Sequence, residues 1–291
     1  MDRIQSGCSS QQTLQPVPAQ YRDSDANDDT SCAFSNRIVC HKKIGSGLFS
    51  HIYVGTAAVK EKGLPERFAV KIFDGWKCND ERFFNVEVKA LTLLKECPFI
   101  VDIFTSYIDD YRHILLELGD IDLNDLMVEM VKQKNKLTDG NLNFIIDNLS
   151  RAAEFMLENG IANDDLFEYN VVYFFNQSSL KFIDFNKAVF DIPAEKNDIM
   201  KNIGLIVIFC KLRESHDCQR ENRFSCRTCK NFDARIDLKL EKFIDKTRWE
   251  SRSFHALIRR LTKLDPSSPV IPSEVYKSLG SKEILPQLTR T

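Results

Sequence analysis

Asp165, Asn170 and Asp184 are the residues best suited to chemistry, arranged as Asp-x4-Asn with a second Asp fourteen residues further on. A carboxylate beside hard oxygen ligands can manage a hydroxyl and a divalent cation together. Asp165 could orient an attacking hydroxyl and accept its proton, while Asn170 and Asp184 could hold Mg²⁺ against nucleotide phosphates. Acids are common here, 19 against 8 bases over residues 101–200, so these three need support from elsewhere. Lys71 stands inside the apolar run Phe68-Ala-Val-Lys-Ile-Phe73. A buried ammonium without a counter-charge is costly or loses its proton. Glu87, four before Leu91 in a helical apolar pattern, is the natural partner, although a bridge that only fixes a helix on a sheet would read the same way. Ile44-Gly45-Ser46-Gly47 lies between strand-like runs, where glycines let backbone N–H groups approach a polyphosphate without Cβ clashes. An ordinary hairpin would share that pattern.

The elements needed to position these residues are legible from periodicity. Three strand-like runs fall within 37–73, separated by Gly-containing turns, followed by a helix over 80–96 and extended runs at 100–105 and 113–117. Five strands and one helix make a small lobe. Beyond Gly119 the apolar positions Ile145, Leu149, Ala152 and Met156 mark one helix face. Short strands at 171–174 and 180–183 follow, then helices over most of 197–264. Residues 1–36 are polar and aperiodic and read as a flexible tail.

The order Gly-rich turn, strand Lys, helix Glu, Asp-x4-Asn, Asp-Phe resembles the protein kinase superfamily over roughly 38–280. Leu115-Leu-Glu-Leu-Gly119 resembles the interlobe hinge, which implies a part for Glu117 in nucleotide binding, and Asp198 resembles the helix acid that holds the catalytic loop. Leu264-Asp-Pro-Ser-Ser is similar to the turn near the domain end. Lys43 to Tyr53 and Cys226-Arg-Thr-Cys229 look most similar to the cell-division-cycle kinase family that activates replication origins by phosphorylating the MCM helicase. The resemblance implies an α+β, bilobal kinase-like fold, with a β-rich N-lobe at 37–118, a larger helical C-lobe at 119–280 and a tail from 281 to 291. It further implies ATP and Mg²⁺ as cofactors, a Ser or Thr of a protein as acceptor, a regulatory subunit as partner and a nuclear role in cell-cycle control of replication.

The pattern is broken in places. Asn163-Asp-Asp-Leu-Phe167 stands where such kinases read His-Arg-Asp-Leu-Lys. The missing Lys would neutralise charge on the transferred group, an effect of order 10²–10³ in rate for electrostatic donors. Asp164 replaces the usual partner of an activation-loop phosphate, and Asn186 replaces the Gly after Asp184-Phe185. Only fourteen positions separate Asp184 from Asp198, a shortened activation segment with Pro193-Ala-Glu195 as a remnant, and Pro269 stands where an Arg commonly anchors the last helix. The competing expectation is therefore a pseudokinase, a nucleotide-binding scaffold or regulatory module. A small-molecule kinase is a third.

Composition bounds these readings. The chain has 291 residues with 21 Phe, 43% apolar and 28% charged, enough for a packed core and against a disordered or collagenous chain. Net charge is −2, which argues against general nucleic-acid binding, although 211–263 carry 15 bases against 8 acids. Nine cysteines form no even framework and read as reduced thiols of an intracellular protein. The N-terminus lacks the order of a secretory signal, and the apolar run Ile203–Cys210 falls well short of the ~20 residues of a membrane span. His216, Cys218, Cys226 and Cys229 could together hold Zn²⁺, with free surface thiols as the alternative.

Overall fold

The computed structural model describes residues 32–35, 37–73, 80–163, 165–193, 198–215, 236–247, 249, 251–262 and 270–286. The N-terminal region is an antiparallel six-stranded sheet in the order β1-β2-β3-β4-β6-β5. Its strands are β1 (Cys32–Ser35), β2 (Ile38–Ser46), β3 (Ser50–Ala57), β4 (Phe68–Phe73), β5 (Ile103–Ile108) and β6 (Arg112–Leu116), with helix α1 (Asp80–Leu93) inserted after β4. One strand more than expected is present, because Cys32–Ser35 in the stretch read as tail pairs with β2. The fifth strand starts at Ile103 rather than Ile100, since residues 99–101 bond across to the second lobe instead.

Every residue of β4 is buried, so the period of two sorts its side chains between two cores. Phe68, Val70 and Ile72 join Ile38, Cys40 and Leu115 on one face. Ala69 and Phe73 join the larger core with Phe84, Leu91 and Leu94 of the α1 region on the other. Lys71 shares the parity of Ala69 and Phe73 and is thus directed to the α1 side. Along α1, Phe84, Glu87 and Leu91 follow i, i+3, i+7, with Leu94 just past its end continuing the spacing, placing Glu87 within the buried stripe.

The C-terminal region is mostly helical: α2 (Leu123–Lys132), α3 (Asp139–Glu158), α4 (Ile199–Ser215), α5 (Ile236–Lys246), α6 (Arg252–Leu261) and α7 (Pro272–Ser278). The Asp122 side chain caps α2 through the Asp125 N–H, and Thr138 and Asn141 form a reciprocal capping box on α3. The expected face of α3, Ile145, Leu149, Ala152 and Met156, is completely buried. The apolar run Ile203–Cys210 is the middle of α4, which buries residues nearly all round and packs against α2, α3 and α6. Two small sheets complete the region: β7 (Ile121–Asp122), β9 (Val171–Phe174) and β10 (Ser179–Phe182) in the order β10-β9-β7, and β8 (Ala162–Asn163) paired with β11 (Ala188–Val189).

Three features tie the lobes together. Phe182 N–H donates to Phe99 O and Val101 N–H to Phe182 O, each at 3.0 Å. Lys181 on β10 pairs with Glu117 at 2.6 Å. Gly119 packs so closely on β9 that a Cβ would fall 2.2 Å from Val172 Cγ1, which is why the lobe boundary carries a glycine. Residues 281–286, assigned to a tail in the sequence, run along α3: Glu283 N–H donates to Gly140 O at 3.0 Å, and Leu285 is buried. Among the described residues, no helix is long and apolar enough to cross a membrane.

Candidate active site

Lys71 and Glu87 meet as their faces require. The ammonium lies 2.8 and 2.6 Å from the two Glu87 oxygens and 2.8 Å from Asp184 Oδ1. Burial alone would lower the pKa of Lys71, but the neighbouring Asp184 and Glu87 carboxylates outweigh it and raise it above its ordinary value. Glu87 is pushed up to about 7 by burial, with Lys71 pulling the other way and Asp184 adding repulsion. Asp184 has φ of 61°, a left-handed conformation that a non-Gly residue keeps only when its surroundings impose it. Those surroundings are Lys71 on the side chain and Asn163 Nδ2 on the carbonyl at 3.0 Å.

The catalytic-loop candidates lie just below. Asp165 is partly buried, and its N–H donates to Asn163 Oδ1 at 3.2 Å. Asn170, on the turn after the loop, donates through Nδ2 to Asp165 O at 2.7 Å, and its own carbonyl accepts the Ile183 N–H at 2.9 Å. The expected trio of Asp165, Asn170 and Asp184 is therefore joined by backbone and amide links. Lys187 Nζ adds a further contact, 2.8 Å from Asp165 Oδ2.

The glycine-rich turn lies between β2 and β3, with Gly47 N–H donating to Ser50 O at 2.8 Å and Ser46 Oγ against His51 Nδ1 at 2.8 Å. A Cβ on Gly45 would meet nothing nearer than 3.5 Å, and on Gly47 nothing nearer than 3.7 Å. Protein packing thus leaves these two positions open, as expected where a bulky anion approaches the backbone. Ile44 is exposed beside them, and Phe49 stacks on Phe83 of α1 at 4.2 Å, resting the turn on the helix that carries Glu87.

Glu117 lies between the lobes. Its carboxylate accepts from Lys181 and Gln177, and its N–H donates to Asp102 O at 2.9 Å. Its side chain thus belongs to the lobe-to-lobe linkage. Asp198 is exposed at the entrance to α4, where its carbonyl accepts the Asn202 N–H at 3.1 Å. Asn186 is buried without positive φ, so the replacement of Gly there needs no left-handed backbone. His216, Cys218, Cys226 and Cys229, like Asp164, Ala194, Glu195 and Pro269, lie outside the described residues. Cys40, Cys97 and Cys210 are buried thiols outside any disulfide.

Sequence reasoning missed two residues. Asn163 appeared only as a loss, yet its amide bonds both to Asp165 N–H and to Asp184 O, linking the two acids. A short polar side chain two positions before an acid is a signal of such local bonding. Lys187 carried no signal at all, since its meeting with Asp165 depends on the β8–β11 pairing.

A protein kinase domain model matches residues 38–201, more than half of the chain. The chain belongs to the protein kinase family. The match starts at β2 and ends inside α4, and so contains the glycine turn, Lys71, Glu87, Asp165, Asn170 and Asp184. No curated protein matches this kinase.

The donor set suits the magnesium nucleotide that the family implies. Mg²⁺ is typically held by one or two protein oxygens together with substrate phosphates rather than by an all-protein cage. Among the described residues no group of three or more His, Cys, Asp or Glu could hold a metal alone. Among the described residues Asp184 Oδ2 and Asn170 Oδ1 accept no hydrogen bond, which leaves one carboxylate and one amide oxygen available to such an ion.

Proposed function

We propose that this kinase is catalytically active and transfers the ATP γ-phosphoryl group to Ser or Thr of a protein. The observation carrying this reading is the Lys71–Glu87–Asp184 cluster, in which one ammonium meets a helix carboxylate and a carboxylate of the second lobe at 2.6–2.8 Å. Asp184 is held there in a left-handed conformation, the kind of backbone that clusters at functional sites.

In this reading Gly45, Ser46 and Gly47, with Ile44 beside them, cover the nucleotide, and Lys71 sits at its phosphates, set by Glu87. Asn170 and Asp184 would hold Mg²⁺, which when bound neutralises phosphate charge. Asp165 accepts the proton of the attacking hydroxyl. Its position follows from the Asn163 and Asn170 amides, which fix the loop backbone at two points. The domain spans 37–280, with residues 281–286 packed on it. A protein acceptor, a regulatory subunit, a nuclear site of action and a role in replication control belong to the same proposal. They are supported by the likeness of Lys43–Tyr53 and Cys226–Cys229 to the origin-activating kinases, and zinc at His216, Cys218, Cys226 and Cys229 by ligand type.

The test is incubation of the full chain with γ-labelled ATP, Mg²⁺ and a generic protein substrate, followed by phosphoamino-acid analysis. Label on Ser and Thr is expected. Label on Tyr alone, or on no residue while Mg-ATP still raises the melting temperature, overturns the reading, the second outcome in favour of a nucleotide-binding pseudokinase.

A further inference from the structure

A phosphoryl group in transfer carries negative charge that cations must balance as it moves between oxygens. Among the described residues two ammonium groups approach the acids of the site. Lys71 is the more buried, and its three N–H donors face three carboxylate oxygens, two of Glu87 and one of Asp184. It has no donor left over in this arrangement. The stretch just after Asp165 offers no cation either: Phe167 stands there and stacks on Tyr169 with centroids 5.3 Å apart.

Lys187 differs on each count. Among the described residues its Nζ makes one bond, to Asp165 Oδ2 at 2.8 Å, leaving two donors, and its side chain is 49% exposed. Its backbone is well anchored. Ala188 N–H donates to Phe185 O at 3.0 Å, Ala188 pairs with Asn163 across β8 and β11, and Asn163 bonds the Asp184 carbonyl. A half-exposed ion pair contributes about 0–1 kcal/mol, so stability gives little reason for an ammonium here.

We propose that Lys187 is a catalytic residue: its ammonium contacts the γ-phosphoryl group during transfer and supplies, from beyond Asp184, the positive charge that the loop at Phe167 lacks. This rests on the kinase reading above. In the step, the acceptor hydroxyl oxygen bonds to the γ-phosphorus, the bond from that phosphorus to the β–γ bridging oxygen breaks, and ADP leaves. The hydroxyl proton passes to the Asp165 carboxylate. Lys187 keeps its own protons throughout, bridging Asp165 and an equatorial phosphoryl oxygen as a point charge.

The experiment measures γ-phosphate transfer by the full chain for wild type, Lys187→Met, Lys187→Arg and the double variant Lys187→Met with Phe167→Lys, alongside Mg-ATP thermal shifts. Met keeps the stem and removes the charge. Lys187→Met is expected to lose about 10²–10³ in kcat, with the KM for ATP within about twofold and the Mg-ATP shift unchanged. Lys187→Arg should keep more activity than Met, and Phe167→Lys should restore at least about tenfold to the Met background, since it returns a cation to the same acid. Wild-type kcat in Lys187→Met overturns the proposal alone. So does loss of the Mg-ATP shift together with turnover, which would mark a structural role. A wild type that binds Mg-ATP and transfers nothing overturns the kinase reading, and this proposal with it.

Discussion

The two halves of the site differ in how they are held. Around Lys71 the contacts are between charges: a buried ammonium and a buried helix carboxylate, from a strand and from α1, meet the partly buried carboxylate of Asp184 from the second lobe. Around Asp165 the links are amide and backbone bonds from Asn163 and Asn170, with a half-exposed Lys187 at the edge. The first half follows the family pattern residue by residue, while the second departs from it at 163, 164 and 167. Buried charge tolerates few substitutions because any loss strands a partner in a low-dielectric core. Amide and surface contacts can be exchanged for others that do the same task, as Asn163 illustrates.

The comparison can be broken from its buried side first. Lys71→Met leaves Glu87 and Asp184 facing each other without their cation. It is expected to cost about 3–5 kcal/mol in chemical denaturation and to abolish transfer. On the other side, Asn163→Ala removes the bonds to Asp165 N–H and Asp184 O. About 1–3 kcal/mol and a drop in kcat larger than any change in ATP affinity should follow. A result in which Asn163→Ala destabilises more than Lys71→Met would reverse the contrast.

Glu87 sharpens it through pH. Its pKa is raised from 4.5 to about 7, so between those values the folded chain keeps a proton that the unfolded chain has released. The resulting stability is fully present below about pH 4.5 and is lost as pH rises through about 7. Glu87→Gln, which cannot ionise, should therefore show a flatter dependence of Tm on pH across that window. Transfer by the wild type should run the opposite way, falling below about pH 7 as Glu87 gains a proton and its hold on Lys71 weakens. A parallel pH profile in Glu87→Gln would exclude this group as the cause.

The smallest effect concerns the segment after Asp184. Lys89 of α1 lies 3.9 Å above the Phe190 ring, Ile192 N–H donates to Gly160 O at 3.0 Å, and β11 pairs with β8, so this short segment is fastened within the chain. Lys89→Ala should cost about 0.5–1 kcal/mol, the scale of an exposed cation–π contact, and lower transfer only slightly. A large kinetic loss would give that contact a role in aligning Glu87.

Much of this was legible in the sequence wherever a pattern is local. The continuous apolar run 68–73 placed Lys71 inside, the apolar neighbours over 84–91 made Glu87 its partner, and Ile145 to Met156 marked the buried face of α3. Long-range pairing was not legible. That Lys187 reaches Asp165, that Glu117 is taken up by Lys181 and Gln177, and that residues 281–286 return to α3 all depend on which distant strands and helices meet. The extra strand at 32–35 escaped for a related reason: a short edge strand in a polar stretch needs only its neighbour's backbone, and backbone pairing leaves little mark on composition.

The central claim is that this arrangement turns over ATP rather than merely binding it. Its most direct test is the rate of γ-phosphate transfer by the full chain with Mg-ATP, wild type against Asp165→Ala, with nucleotide binding followed in parallel. Transfer by the wild type that falls by about 10³ or more in the variant, while the Mg-ATP thermal shift stays the same, is the predicted result. Equal incorporation by the two proteins, or no transfer by a wild type that binds Mg-ATP, would contradict it.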